Sequence, residues 1–483
     1  MRIFSLAAIA IVACAHQSAN PPEPAAAATA ELAAVATTDP ANPAKAEPAA
    51  PAKAEPAAPA KAEPAAPTAA VPAAPALAEP VVPAAIASAV ERRAVQSGSA
   101  PKTVGAYSHA IQAPAGRVLF ISGQIAVDPV KDRLIKGDAA KQTVRAMENF
   151  KAILEAGGAT FNDVVKVSIF VTDLADFAKV NETYGRYFQN APPARATVQV
   201  AALSRGALVA IEGVAVKPGD GSRGSGPVAV QTAQAPRAIG PYVQATDVSG
   251  GSFVFVSGQI PIDPATGQMV QGDIVAQTER VMENLKAVLA ASNASFDDVV
   301  KTNIYLADLN DGTKVNETYG RYFQRTPPAR ATVQMAALPQ GARIQIECVA
   351  APGSRTRSGV LQSAQAPKAM DSSSQGIGVS PGSFLFVSGQ LPIDPATGKP
   401  VQGDVGAQTE RVMENLKAVL EAGGASFDKV VKTTIFVADM ADFAKVNEAY
   451  GRYFRKAPPA RAAVQVGALP RGARVEIDCI AAL

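Results

Sequence analysis

The chain has 483 residues, with 45 Lys and Arg against 42 Asp and Glu, a formal charge of +3. That near-balance, with no basic run interleaved with aromatics, excludes nucleic acid as an expected partner. Two histidines (His16 and His109) and three cysteines are too few for a His-based triad or a His/Cys metal site to recur along the chain.

In chain order, Arg2, an apolar run over residues 3–13 and then Cys14 read as a short export signal, residues 1–14. Ile11-Val12-Ala13-Cys14 resembles a bacterial lipobox, which makes Cys14 the candidate lipidation site. The run is too short to span a bilayer, so lipidation would anchor the chain to a membrane leaflet. Ala15 after Cys14 points to an exported protein on the periplasmic side, held at the outer membrane. The alternatives are an ordinary cleaved signal and an uncleaved apolar start. Residues 15–93 are dominated by Ala, Pro, Lys and Glu, with Pro-Ala-Lys-Ala-Glu-Pro-Ala-Ala repeating from Pro43, Pro51 and Pro59. Proline at this frequency forbids helix and sheet, and the remainder is too weakly hydrophobic to offset ordering. The expectation is a disordered, extended tether.

Three similar units of about 120 residues follow, at 94–217, 228–351 and 360–483. Each carries Ser-Gly-Gln (from Ser122, Ser257 and Ser388), Gly-Asp, Val-Asn-Glu, and Pro-Pro-Ala-Arg ending at Arg195, Arg330 and Arg461. Residues 277–288 and 408–419 are identical. A repeat of this length is a whole domain rather than a solenoid unit. Three like domains in one chain predict an intramolecular pseudo-trimer, with three equivalent clefts between domains as the candidate ligand sites.

The middle unit is the most regular. Residues 253–257 read as a buried strand, and residues 260–272, with Asp-Pro and Thr-Gly, as a turn or hairpin. Ile274, Thr278, Val281, Leu285 and Val288 recur at helical spacing behind Asp273. Residues 299–306 alternate as a strand; Val315, Tyr319 and Tyr322 or Phe323 suit a second helix ended by Pro327-Pro328. Residues 331–335 and 343–349 complete the set as strands. The order predicts an α+β fold, a mixed sheet with two helices on one face.

Gly-Pro-Tyr-Val-Gln-Ala (240–245), Phe-Val-Ser-Gly-Gln-Ile-Pro (255–261), Gln-Gly-Asp (271–273), Glu-Asn-Leu-Lys-Ala (283–287), Val-Asn-Glu (315–317), Pro-Pro-Ala-Arg (327–330) and Ile-Glu-Cys (346–348) resemble the YjgF/RidA family across essentially the whole repeat. The resemblance implies a chorismate-mutase-like α+β fold, a trimer with ligand sites between subunits, and hydrolysis of reactive enamines and imines such as 2-aminoacrylate to 2-keto acids and ammonia. The implied small-molecule partner is a 2-imino or 2-keto acid, and the implied reaction, on an already electrophilic imine carbon, needs no metal or organic cofactor.

Arg195, Arg330 and Arg461 match the family's carboxylate-binding arginine. A planar guanidinium grips a carboxylate with two parallel hydrogen bonds; a structural ion pair is the plainer use of such an arginine. Glu212, Glu347 and Asp478 match an acid that the family carries near its ligand, where a carboxylate could hold or relay water; the plain alternative is a solvent-facing strand carboxylate. By resemblance, Tyr107 and Tyr242 line the cleft; in the third unit Ser373 stands in the corresponding place, so one of the three clefts is expected to be impaired or altered. His109 and Ala106 replace the family's Gln and Pro. Asn181, Asn316 and Asn447, with Ser122, Ser257 and Ser388, match substrate-binding positions around the cleft. The Ser-Gly-Gln step is equally well explained by backbone geometry at a strand end. Cys348 and Cys479 alternate away from the neighbouring acids and are expected in separate cores. The readings carried forward are an imine deaminase and, alternatively, a non-catalytic exported binding module for small carboxylates or keto acids. A nuclease or translation-inhibitor role is disfavoured by the absence of basic runs, and a pure scaffold would not require Arg in every copy.

Overall fold

A computed structural model describes residues 116–188, 192–218, 253–323, 325–352, 384–454 and 458–483. It also describes short pieces at 93–95, 110–113, 228–230, 245–250, 356–361, 363–365, 368–369, 373–374 and 376–380. Cys14, residues 15–92 of the expected tether, Ala106, Tyr107, His109 and Tyr242 lie outside the described residues.

Each domain is built from two helices over a mixed sheet. The long helices are α1 (Ala139–Ala156), α3 (Ile274–Ala291) and α5 (Val405–Ala422), and the short ones are α2 (Phe177–Gly185), α4 (Gly312–Gly320) and α6 (Phe443–Gly451). The Gly-Asp step starts each long helix for a physical reason: the Asp138, Asp273 and Asp404 carboxylates accept first-turn N–H groups at 3.0–3.1 Å. One face of α1 buries Met147, Phe150, Ile153 and Leu154 against Leu119, Ile121 and Ile211 of the sheet. The second and third domains repeat this arrangement around Leu285 and Leu416. Cys348 and Cys479 fall in those two different cores as free thiols.

In the second domain, strand Phe253–Gln259 pairs antiparallel with Ile344–Ala350, which pairs antiparallel with Val299–Leu306. Val299–Leu306 runs parallel to Ala329–Gln334, with α4 making the crossover that parallel strands require. The stretch between Phe253–Gln259 and α3 turns as expected, with Asp263 accepting from the Ala265 and Thr266 amides and Gly267 at φ +69. The segments that add the outer strands are arranged unevenly. In the third domain, Thr356–Leu361 and Gly376–Ser380 extend that domain's own sheet beside Phe384–Gln390. In the first two they are exchanged: Ala110–Ala113 pairs with Phe253–Gln259, and Ala245–Gly250 pairs with Gly116–Ile125. Two nearly equivalent sheet edges accept each other's strands because main-chain hydrogen bonds do not read side chains.

The sheet faces opposite the helices meet one another. Phe120, Phe253, Phe255, Phe384 and Phe386, drawn from all three domains, form one shared core, with ring centroids 5.6–6.4 Å apart. Phe170, Tyr305 and Phe436 sit in a second. The ring closes through main-chain bridges of one kind: Gln199 with Ala337, Gln334 with Ala468, and Gln465 with Ala202. The pseudo-trimer is therefore made within one chain, each domain touching both others.

Candidate functional site

The arginines stand where strands Ala194–Gln199, Ala329–Gln334 and Ala460–Gln465 run along the boundary with the next domain. Arg195, Arg330 and Arg461 are 4 %, 8 % and 3 % exposed, so each guanidinium is held inside the protein. Their amides donate to the hydroxyls of Ser257, Ser388 and Ser122 of the neighbouring domain, each at 2.8 Å. The repeated serine is thus a pin across the domain boundary. Ser388 makes a further bond, donating to the Ser374 carbonyl at 2.5 Å.

Beneath each guanidinium lies a fully buried tyrosine of the short helix: Tyr184 at 5.1 Å, Tyr319 at 5.4 Å and Tyr450 at 5.2 Å from the ring centroid. The aromatic face offers negative charge to the cation. Burial pushes all three phenols up. Thr302 and Thr433 hydrogen bond the Tyr319 and Tyr450 hydroxyls at 2.9 and 2.8 Å, whereas Val167 occupies that position under Tyr184. In the first and third domains a second ring, Phe177 or Phe443, lies 5.9 or 5.4 Å from the guanidinium; the second domain has Gly312 at that place. The cleft over Arg330 is accordingly roomy, about 900 Å³, and is lined by Arg330, Gly312, Asn316, Ser388, Gly389 and Glu476.

Glu476 was not among the residues that sequence reasoning proposed. It comes from strand Val475–Ala482 of the third domain, is 2 % exposed, and its Oε2 has no hydrogen-bond partner among the described residues. Burial, reinforced by the neighbouring Asp478 charge, raises its pKa to about 8, against the opposing pull of Lys301, Arg330 and the Thr332 amide. A Cβ on Gly389 would overlap its carboxyl, which gives the glycine of that Ser-Gly-Gln its use. Sheet register identifies the matching positions: Glu476 is opposite Phe436, Gln345 opposite Tyr305, and Ala210 opposite Phe170. Gln345 approaches Gly258 as Glu476 approaches Gly389, and Ala210 lines the cleft of Arg461.

The structure does not bring the expected acids to the arginine clefts. Glu347 pairs with Lys166, Asp478 with Lys301 at 2.6 Å, and Glu212 with Lys432 at 2.5 Å, each across a domain boundary. They line a central cavity of about 70 Å³ that all three domains enclose. Each carboxylate there is committed to a lysine that burial would otherwise leave unpaired. Asn303 and Tyr305 also donate to Glu347, at 2.7 and 3.1 Å. Of the remaining candidates, Asn447 accepts from Arg461 Nη1 at 2.8 Å, Asn316 lines the Arg330 cleft, and Asn181 is half-buried on α2. Ser373 also lines the Arg330 cleft, while Ser374 binds the Pro327 and Pro328 carbonyls at 2.6 and 3.1 Å. The departure of the third repeat from the family pattern is therefore seated on the proline step that precedes Arg330.

With this geometry in hand, the class is defined by comparison. The family described as Endoribonuclease L-PSP matches residues 97–217, 232–352 and 363–483, and the chain belongs to it, in three tandem copies. Protein DfrA of Myxococcus xanthus is 62% identical over 122 residues, 25% of this chain and 93% of that protein. A RutC family protein of Pyrococcus abyssi is 53% identical over 119 residues, 25% and 92% of the two chains. The 2-iminobutanoate/2-iminopropanoate deaminase of Mus musculus is 46% identical over 124 residues, 26% and 90%. The YjgF/RidA resemblance and the chorismate-mutase-like fold are borne out, and each relative corresponds to one repeat.

Proposed function

We propose that the chain is a hydrolytic deaminase of small, reactive enamine and imine acids of the 2-aminoacrylate/2-iminopropanoate type. The observation that carries this reading is the buried Arg330 and Glu476 lining one cleft from two domains. Arg330 holds the substrate carboxylate through paired N–H donors. Glu476, with a pKa of about 8, is largely protonated at neutral pH and within the range useful for proton transfer. Its proton passes to the imine nitrogen, and water attacks the carbon as its own proton goes to the carboxylate. The carbinolamine then loses ammonia with cleavage of the C–N bond, leaving the 2-keto acid. The names of relatives such as the mouse 2-iminobutanoate/2-iminopropanoate deaminase support the same reaction class.

The test is loss of 2-aminoacrylate, generated in situ, above its spontaneous rate, with the full chain and with Arg195→Ala/Arg330→Ala/Arg461→Ala. Acceleration that disappears in the triple variant is expected. A folded wild-type chain that gives no acceleration would overturn the reading. It would leave the alternative, a binding module for small carboxylates, which the lack of a carboxylate at Ala210 and Gln345 favours.

A further inference from the structure

The three clefts share their buried arginine and differ at two positions beside it, one an acid in a single cleft and one a ring in the other two. Each has a buried arginine whose amide is pinned to the next domain's serine and whose guanidinium lies over a buried tyrosine. At the position opposite Phe170, Tyr305 and Phe436, however, the side chains are Ala210, Gln345 and Glu476. An amide keeps the shape of a carboxyl but does not take up and return a proton near neutral pH, and a methyl group offers neither donor nor acceptor. Space varies in the same direction. Phe177 and Phe443 lie against the guanidiniums of the clefts that lack the acid, and Gly312, where an added Cβ would meet nothing within 4 Å, stands beside the cleft that has it.

We propose that the clefts divide the work: the Arg330/Glu476 cleft hydrolyses, and the Arg195/Gln345 and Arg461/Ala210 clefts hold small 2-keto or 2-imino monocarboxylates without turning them over. This rests on the deaminase reading and adds to it a chain with one hydrolytic centre and two retention sites.

The decisive variant is Glu476→Gln in the full chain, which makes the Arg330 cleft chemically like the Gln345 one with almost no change of volume. Two readouts are taken: loss of 2-aminoacrylate above the spontaneous rate, and the stoichiometry of 2-oxobutanoate binding by calorimetry. The expected result is a fall of at least about a hundredfold in rate, the usual range for losing a general acid, with three 2-oxobutanoate sites per chain retained. Gln345→Glu is expected to raise the wild-type rate. Retention of about two thirds of the rate in Glu476→Gln would show three equal centres and overturn the division while leaving the deaminase reading intact. A stoichiometry of one in the wild type would overturn the retention sites. No acceleration by the wild-type chain would remove the deaminase reading, and the division with it.

Discussion

Glu476 and Asp478 lie two residues apart on one strand, face the same way, and are both nearly inaccessible, at 2 % and 3 %. Asp478 has a lysine from the next domain at 2.6 Å, and its counterparts Glu212 and Glu347 have the same arrangement. Glu476 has no lysine of its own, leaves one oxygen without a partner among the described residues, and is raised to a pKa of about 8. A buried carboxylate with a dedicated cation acts as cement; one without is left able to exchange a proton. The cement recurs in every repeat, and the proton-exchanging group occurs once.

The sharpest way to break this comparison is to remove a cation from the axis. Lys301→Ala should destabilise the chain by about 3–5 kcal/mol, because Asp478 is left buried and unpaired. Lys301→Met combined with Asp478→Leu should recover most of that loss. Urea unfolding of the three proteins measures both, and a silent single variant would mean the axis pairs are not cement.

The next effect is gated by pH. Glu476 has a folded pKa of about 8 against an ordinary 4.5, so its stability contribution is fully present below pH 4.5 and is lost as pH rises toward 8. Glu476→Gln should therefore be more stable than wild type, the gap widening through that window by at most about 1.4 kcal/mol per pH unit and then levelling. A gap independent of pH would contradict the raised pKa. The same experiment on Asp478→Asn should instead show a loss of stability at neutral pH, since Lys301 forfeits its counter-charge.

The smallest effect concerns the floor of the first cleft. Val167 stands where Thr302 and Thr433 bind the buried tyrosine hydroxyl, and the Tyr184 hydroxyl has no hydrogen-bond partner among the described residues. Val167→Thr should add about 1 kcal/mol, the usual net value of one such bond. Differential scanning calorimetry reads it, and an unchanged or lower Tm would count against the bond.

Much of this was legible in the sequence because it is written three times. The helices followed from apolar spacing behind an Asp cap, and the strand Val299–Leu306 from alternation. The arginines stood out by motif. The acids illustrate the limit. Period-two alternation puts residues 476 and 478 on one face, and nothing in the spacing says which depth of that face opens into a cleft. The family resemblance pointed to Glu212, Glu347 and Asp478. The signal that could have claimed them for the axis was also present: Lys166, Lys301 and Lys432 each sit in an apolar Val-Val-Lys strand, and a buried lysine requires a carboxylate. The strand exchange between the first two domains was invisible for a different reason, since main-chain pairing carries no side-chain signature.

The bond from the Arg461 amide to Ser122 joins residues 339 apart. As the chain leaves the ribosome, the Arg195–Ser257 contact becomes available once two domains are out, and the Arg330–Ser388 contact only with the third. The last junction closes the circle across nearly the whole folded length, so of the three it carries the largest loop-closure entropy. A chain ending after the second domain would thus lack two junctions together, including the one where Arg330 and Glu476 line a common cleft.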